Sequence, residues 1–342
     1  QTPPKEERLE AVVTKIQVEK EVKTENADKK TLYQKLEVLV TSENRKGGKL
    51  EVENNMPIVN AQRYKVGDKV VIAVNQTPDG KEMLYITDYV RRAPLYWLFA
   101  IFAGLTVLIG RKRGVASLIG MGLSFFVIFT FVLPQILSGK DPILIAITAS
   151  LFIIPISFYL AHGLNRKTTA AVIGTIIALI ITGILANLFV DAAKLTGFAS
   201  EEAAFLQQAK PDLINIRGLL LAGIIIGVLG ILDDITISQA AIVSQLKQTA
   251  PKIPFWELFQ RSMDIGRDHI ASMVNTLILV YTGAALPLLL LFTNNPQPFS
   301  ELINYEIVSE EIVRTLVASI GLILSVPITT FITTVLFDKK AD

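Results

Sequence analysis

The sequence predicts an α-helical multi-pass membrane bundle of about seven transmembrane helices, with a small N-terminal all-β domain, an OB-like barrel, on the extracytoplasmic side. Three observations carry that expectation. Apolar residues make up 51% of the chain and charged ones only 19%, and the long apolar runs all lie beyond residue 90. The first ninety residues instead alternate apolar with polar and are punctuated by turn residues. Finally, Asp233 and Asp234 sit inside an apolar run long enough to cross a bilayer. A carboxylate there costs roughly 2.5 to 3.5 kcal/mol on insertion, so it marks a protein interior or a watery path.

Charge and composition narrow the function classes. With 33 basic and 31 acidic residues the net charge is +2, which argues against a nucleic-acid partner. The absence of cysteine excludes disulfides, thiolate metal sites and a cysteine nucleophile. The polar, charged start at Gln1 is expected where a signal peptide or first anchor has been removed, which puts the first domain outside the cytoplasm.

Within residues 1–90, Leu36, Val38 and Val40 alternate with Lys35, Glu37 and Leu39, Val70, Ile72 and Val74 repeat the pattern, and Leu50 with Val52 gives a shorter version. Glu10 to Val18 and Met83 to Val90 supply further strands. Turns are expected at Lys46-Gly47-Gly48, Gly67-Asp68 and Pro78-Asp79-Gly80. Five short strands suit a small barrel. No aromatic series lies on a basic face, so the domain reads as a spacer or docking module rather than an oligonucleotide binder.

Residues 91–342 form the membrane domain. Spans of about 20 residues are expected at Ala93–Gly110, Val115–Leu137, Pro142–His162, Thr168–Val190, Ile216–Val243, Ile270–Phe292 and Ile312–Phe337. Alternate connectors are basic: Arg111 to Arg113, Arg166 with Lys167, Lys247 to Arg267, and Lys339 with Lys340. The positive-inside rule then places the N-terminal domain outside and the C-terminus in the cytoplasm. Between the fifth and sixth spans, Phe255, Leu258, Phe259 and Met263 fall on one face of a short helix opened by Pro254, either along the inner surface or packed on the bundle.

The fifth and sixth spans carry the candidate chemistry. Gly223, Gly227 and Gly230 make a small-residue side for helix packing. Asp234, Ser238 and Gln245 share a face, with Asp233, Thr236 and Gln239 beside it. Asp264, Asp268, Ser272, Asn275 and Thr282 recur at three-or-four spacing along the entry and body of the sixth span. Two such stripes facing each other would gather carboxylates, hydroxyls and an amide, suited to a proton or hard cation. The candidate pathway residues are therefore Asp233, Asp234, Ser238, Gln239, Asp264, Asp268 and Asn275. The structural alternatives are an N-cap at Asp233 or Asp234, an interfacial ion pair at Asp268 with Arg267, and interhelical hydrogen bonding at Asn275. Tyr281, Gly283 and Pro287 are positioned to distort the sixth span.

The blocks G-V-L-G-I-L-D-D-I-T-I-S-Q-A-A-I-V and I-G-R-D-H-I-A-S-M-V-N-T-L-I-L-V-Y-T-G-A-A-L-P-L-L-L-L resemble the paired signature of the YibE/F-like bacterial membrane proteins. The resemblance extends from about Tyr96 to Leu336, and the strand-rich front end is similar to that of the longer members. It implies a multi-pass protein of the bacterial cell membrane, considered a transporter of undefined substrate, with a shorter YibE/F-like subunit as partner.

Enzymatic motifs are lacking: His162 and His269 belong to no H-E-x-x-H pair, and neither a Walker A loop nor a G-x-S-x-G elbow occurs. An intramembrane aspartyl hydrolase stays open, but it needs two carboxylates at one depth, one of them with a raised pKa, and the connector separates Asp234 from Asp268. The sequence calls for no cofactor or metal. A proton- or cation-coupled transporter and a non-catalytic scaffold presenting the outer domain are the leading readings. Orientation is testable directly, since the chain has no native cysteine. Single cysteines at Ser138, Gly163, Thr196 and Ala341 should label from outside, inside, outside and inside respectively, and outside labelling at Gly163 would reverse the topology.

Overall fold

The computed structural model describes residues 7–23, 30–57, 63–76, 82–209, 213–293 and 298–338. It divides into two compact units, residues 1–104 and 105–342.

The first unit is a five-stranded antiparallel sheet of β1 (Glu7–Lys23), β2 (Lys30–Val40), β3 (Lys49–Pro57), β4 (Lys69–Gln76) and β5 (Glu82–Tyr89), in the order β3-β2-β1-β4-β5. Alternation decides which face is covered: Leu36, Val38 and Val40 on β2, Leu9, Ala11 and Val13 on β1, and Val70 and Ile72 on β4 are all buried. Tyr64 joins this core, and the buried Gln34 amide holds it there. Its Oε1 accepts from the Tyr64 N–H at 3.0 Å and its Nε2 donates to the Tyr64 carbonyl at 3.1 Å, as a neighbouring strand would. The turns at Gly47 and Gly67 adopt φ of 82° and 96°, values that favour glycine. The turn expected at Pro78 to Gly80 lies outside the described residues.

The sheet is open, which corrects the expectation of a closed barrel. The outer strands β3 and β5 approach each other but share no hydrogen-bonded ladder. Strand β4 pairs with Glu7 to Val12 of β1, whereas β2 pairs with β1 out to Lys23, so the β1–β2 hairpin runs on past the β4–β5 pair.

The second unit is helical. The helices are α1 (Arg92–Val127), α2 (Leu133–Leu137) after a π turn at Ile128–Val132, α3 (Pro142–His162), α4 (Arg166–Ala192), α5 (Glu201–Ala209), α6 (Ile216–Thr249), α7 (Phe255–Ala284), α8 (Leu286–Thr293), α9 (Phe299–Leu302) and α10 (Glu306–Asp338). Three of the long helices start on side-chain caps: Asp141 accepts from the N–H groups of Ile143 and Leu144, Asn165 from Thr168 and Asn215 from Gly218.

Among the described residues, five helical segments are long and apolar enough to cross a membrane, or six if α7 and α8, bent by 68°, count as one. By length and apolarity the helices thus give five or six candidate spans against the expected count of about seven. The first two expected spans run together from Arg92 to Leu137. That run is interrupted at Arg111, where φ is 50° and ψ is −130°. A Cβ on the buried Gly114 would collide with the Thr106 carbonyl oxygen. Residues eight apart on a straight helix are separated by about 12 Å, so the chain turns sharply at Arg111. The expected short helix after Pro254 is the first part of α7, continuous with the sixth span.

The sheet carries a pH-dependent prediction. Arg45 pairs with Glu82 at 2.9 Å and with Glu7 at 2.8 Å, drawing three segments together at one end of the sheet. The Arg45 hydrogen bond holds the Glu82 carboxyl below its ordinary range, and Lys35 does the same for Glu51. The Asp88 carboxyl is lowered first by the Tyr89 N–H and then by Arg91. Depressed carboxyl groups stabilise the fold above their unfolded values near 4, and that contribution is lost as pH falls through the lower folded values. Residues 1–90 expressed alone should melt cooperatively, with a melting temperature level from neutrality to about pH 5 and falling below about pH 4. Arg45→Met should flatten the acid limb. An acid limb of unchanged steepness in that variant would show that other groups set it.

Candidate functional site

Helix α6 is the element around which the membrane unit packs, touching α3, α4, α7 and α10. It runs unbroken from Ile216 to Thr249, which places Asp233 and Asp234 near its midpoint. Neither is a helix cap. Asp233 is half-buried, Asp234 exposed, Ser238 half-buried and Gln239 fully buried.

Gln239 is the candidate residue most deeply built into the bundle. Its Nε2 donates to the Ser262 carbonyl of α7 at 2.9 Å and to Thr330 Oγ1 of α10 at 2.7 Å. The Thr330 hydroxyl in turn donates to the Val326 carbonyl at 2.7 Å. Gly266 on α7 makes room for the amide, since a Cβ there would lie 3.0 Å from Gln239 Nε2, 3.1 Å from Oε1 and 2.7 Å from Val326 Cγ1. The node thus joins three helices through one side chain.

The remaining candidates are placed differently. Asp264, Asp268, Ser272 and Asn275 are exposed along one side of α7, while Met263, Ile270, Met273 and Val274 turn to the core. Asp264 pairs with Arg267 on its own helix. Among the described residues, no hydrogen bond or ion pair joins Asp233 or Asp234 to Asp268 or Asn275. Gly223, Gly227 and Gly230 are exposed, and a Cβ on any of them would meet no atom within 4 Å.

Close helix approach occurs elsewhere. Gly174 on α4 receives Thr329 of α10, and Gly321 on α10 receives Thr182 of α4, with an added Cβ overlapping the threonine hydroxyl in each case. The two notches are reciprocal and eight residues apart on each helix, which fixes the antiparallel register of the pair. Beside them, the Thr175 hydroxyl of α4 and the Thr236 hydroxyl of α6 lie 2.6 Å apart. Thr329, Thr330, Thr333 and Thr334 are all fully buried. The T-T-x-x-T-T spacing in the last span was the available signal for this hydroxyl-rich seam; Ser262 and Gly266 had none.

Three buried oxygens in this region have no hydrogen-bond partner: Gln239 Oε1, Ser262 Oγ and Thr329 Oγ1. Among the described residues no three His, Cys, Asp or Glu side chains form a metal-binding group. A recess of about 330 Å³ between α3, α4 and α6 is walled by Ile147, Leu151, Ile176, Ile180 and Ile184, with Asn187 as its one polar side chain. It suits hydrocarbon and stands apart from the acidic candidates.

The family model described as YibE/F-like protein matches residues 98–339, and that described as YibE/F family N-terminal domain matches residues 6–89. No curated protein and no solved structure matches the chain.

The glycines supply a contrast to measure. Gly174→Ala and Gly321→Ala should each destabilise the purified protein by about 1 to 3 kcal/mol through overpacking. Gly223→Ala, Gly227→Ala and Gly230→Ala should be neutral or stabilising by up to about 1 kcal/mol each, from helix propensity alone. Thermal melts of the five variants in one detergent decide it, and equal losses in both groups would contradict the packing described.

Proposed function

The chain belongs to the YibE/F-like family, and on that premise we propose that it is a proton- or cation-coupled transporter of the bacterial cell membrane. The observation that carries this reading is the position of Asp233 and Asp234 near the midpoint of an unbroken apolar helix, at the depth where a carboxylate is most costly and where a cap would have no use. The hydroxyl-rich seam of α4, α6 and α10 beside them supports it, because oxygen donors in a bundle interior are what a small cation or a proton needs.

The proposal includes seven crossings, with residues 92–110 and 112–137 counted separately on either side of the Arg111 break and α7 with α8 as one bent span. The N-terminal domain lies outside and the C-terminus in the cytoplasm. The outer domain is a partly opened OB-like barrel, a reading supported by the strand order and by the approach of β3 to β5. The proposed function is non-enzymatic.

A second reading is favoured by one observation: among the described residues nothing covers the acidic and amide side of α7 or the glycine side of α6. A scaffold that presents its outer domain, or a transporter completed by a shorter YibE/F-like subunit, would bury these faces against a partner. Residues facing lipid bear that cost unaided.

Asp233→Asn and Asp234→Asn keep side-chain shape and remove charge. Both variants should insert and fold, with unchanged or greater stability, and lose ion- or pH-driven uptake in proteoliposomes by at least about tenfold. Full uptake in both would remove the carboxylates from the mechanism.

A further inference from the structure

The unpaired atoms at the Gln239 node point to a ligand. Both amide hydrogens of Gln239 are engaged, one on the Ser262 carbonyl and one on Thr330 Oγ1, so the orientation of the amide is fixed and Oε1 is left as a bare acceptor. The Thr330 proton is engaged by Val326. Ser262 Oγ, on the residue whose backbone Gln239 grips, is fully buried and has no partner. The node therefore holds two buried oxygens without partners, an amide acceptor and a hydroxyl able to donate or accept, in a setting where each unsatisfied group costs about 1 to 3 kcal/mol.

We propose that this node is a binding site for one monovalent metal cation, Na⁺ or K⁺, with Gln239 Oε1 and Ser262 Oγ as its side-chain ligands. Neutral amide, hydroxyl and carbonyl oxygens suit a hard ion of low charge; a divalent ion would call for carboxylates in direct contact. Asp233 lies six residues earlier on α6, about 9 Å along the axis, near enough to balance one positive charge in a low-dielectric interior. Lys247, eight residues further on, is turned to the Ile253 carbonyl and to Asp338. With one ligand on α6 and one on α7, the ion is a clasp between those two helices, beside the Gln239–Thr330 bond that ties in α10. Its identification as the coupling ion rests on the transport reading above; its binding does not.

A buried water is the competing guest, since it would also satisfy both oxygens. Salt identity separates the two. The full-length protein in nanodiscs would be melted in NaCl, KCl and choline chloride at equal ionic strength. The site requires a saturable rise in melting temperature in at least one metal salt over choline. Ser262→Ala deletes a ligand that makes no bond within the protein, so it should melt in choline as the parent does, while its apparent cation affinity falls by about tenfold or more. Gly266→Ala, which presses on the amide, should weaken cation binding as well and serves if Ser262→Ala fails to fold. Identical melting of the parent in all three salts would overturn the site and leave water as the guest. So would a cation effect unchanged in both variants. Uptake measured on the same preparations keeps the two proposals apart: cation-specific stabilisation without uptake supports the site and sinks the transport reading, and cation-driven uptake by a parent indifferent to salt in melting does the reverse.

Discussion

The distance between α4 and α10 governs the membrane unit. Two glycine–threonine notches let these helices approach more closely than any pair of larger side chains would permit. Because the notches are reciprocal, one helix cannot slide along the other without forcing a threonine against a Cα in both. Helix α6 packs against this pair, and the Thr175–Thr236 contact is made there. In hydrocarbon there is little hydrophobic force to hold helices together, so this kind of close packing and interhelical hydrogen bonding supplies it.

That constraint explains how polar groups are accommodated. Thr182, Thr330, Thr333 and Thr334 each donate to the carbonyl four residues back on their own helix, and of Thr175 and Thr236 one does so while the other donates across to its partner's hydroxyl. A threonine so engaged is nearly apolar to its neighbour on the donor side and keeps a lone pair facing outwards. Stacking several of these at one seam produces a surface of acceptors. Gln239, with two N–H groups, is the side chain in the seam that can answer two acceptors at once, and it does so across helices.

Spans were legible in the sequence because the signal is a count of apolar residues against bilayer thickness, and it needs no partner. Strands β1 to β5 were legible for a similar reason, since alternation records burial on one face. Closure of the sheet was not. It depends on whether the outer strands β3 and β5 pair, which alternation does not encode. The break at Arg111 coincides with the basic cluster that separated the first two expected spans, yet whether it ends a crossing or bends one is a matter of backbone dihedrals. The glycine pattern is instructive. Gly223-x-x-x-Gly227 carries the familiar packing motif and is uncovered among the described residues, whereas the isolated Gly174 and Gly321 make the close approaches. Spacing reports that a helix could come near; only the fold says which one does.

The site was legible in part for the same reason. Asp233 and Asp234 announce themselves through the cost of charge in an apolar run, an argument that holds for each residue separately. Their convergence with Asp268 and Asn275 required α7 to turn its polar side towards α6, and α7 instead sets Met263, Ile270, Met273 and Val274 against the core. The winning interaction is ordinary packing: an amphipathic helix entering a bundle buries its apolar side. The polar side of α7 is then left for something outside the chain. A carboxylate row on a membrane helix is unstable facing lipid and stable facing water or a polar partner. The two polar features of this unit therefore differ in kind: the Gln239 node is buried among three helices of one chain, and the α7 row is exposed.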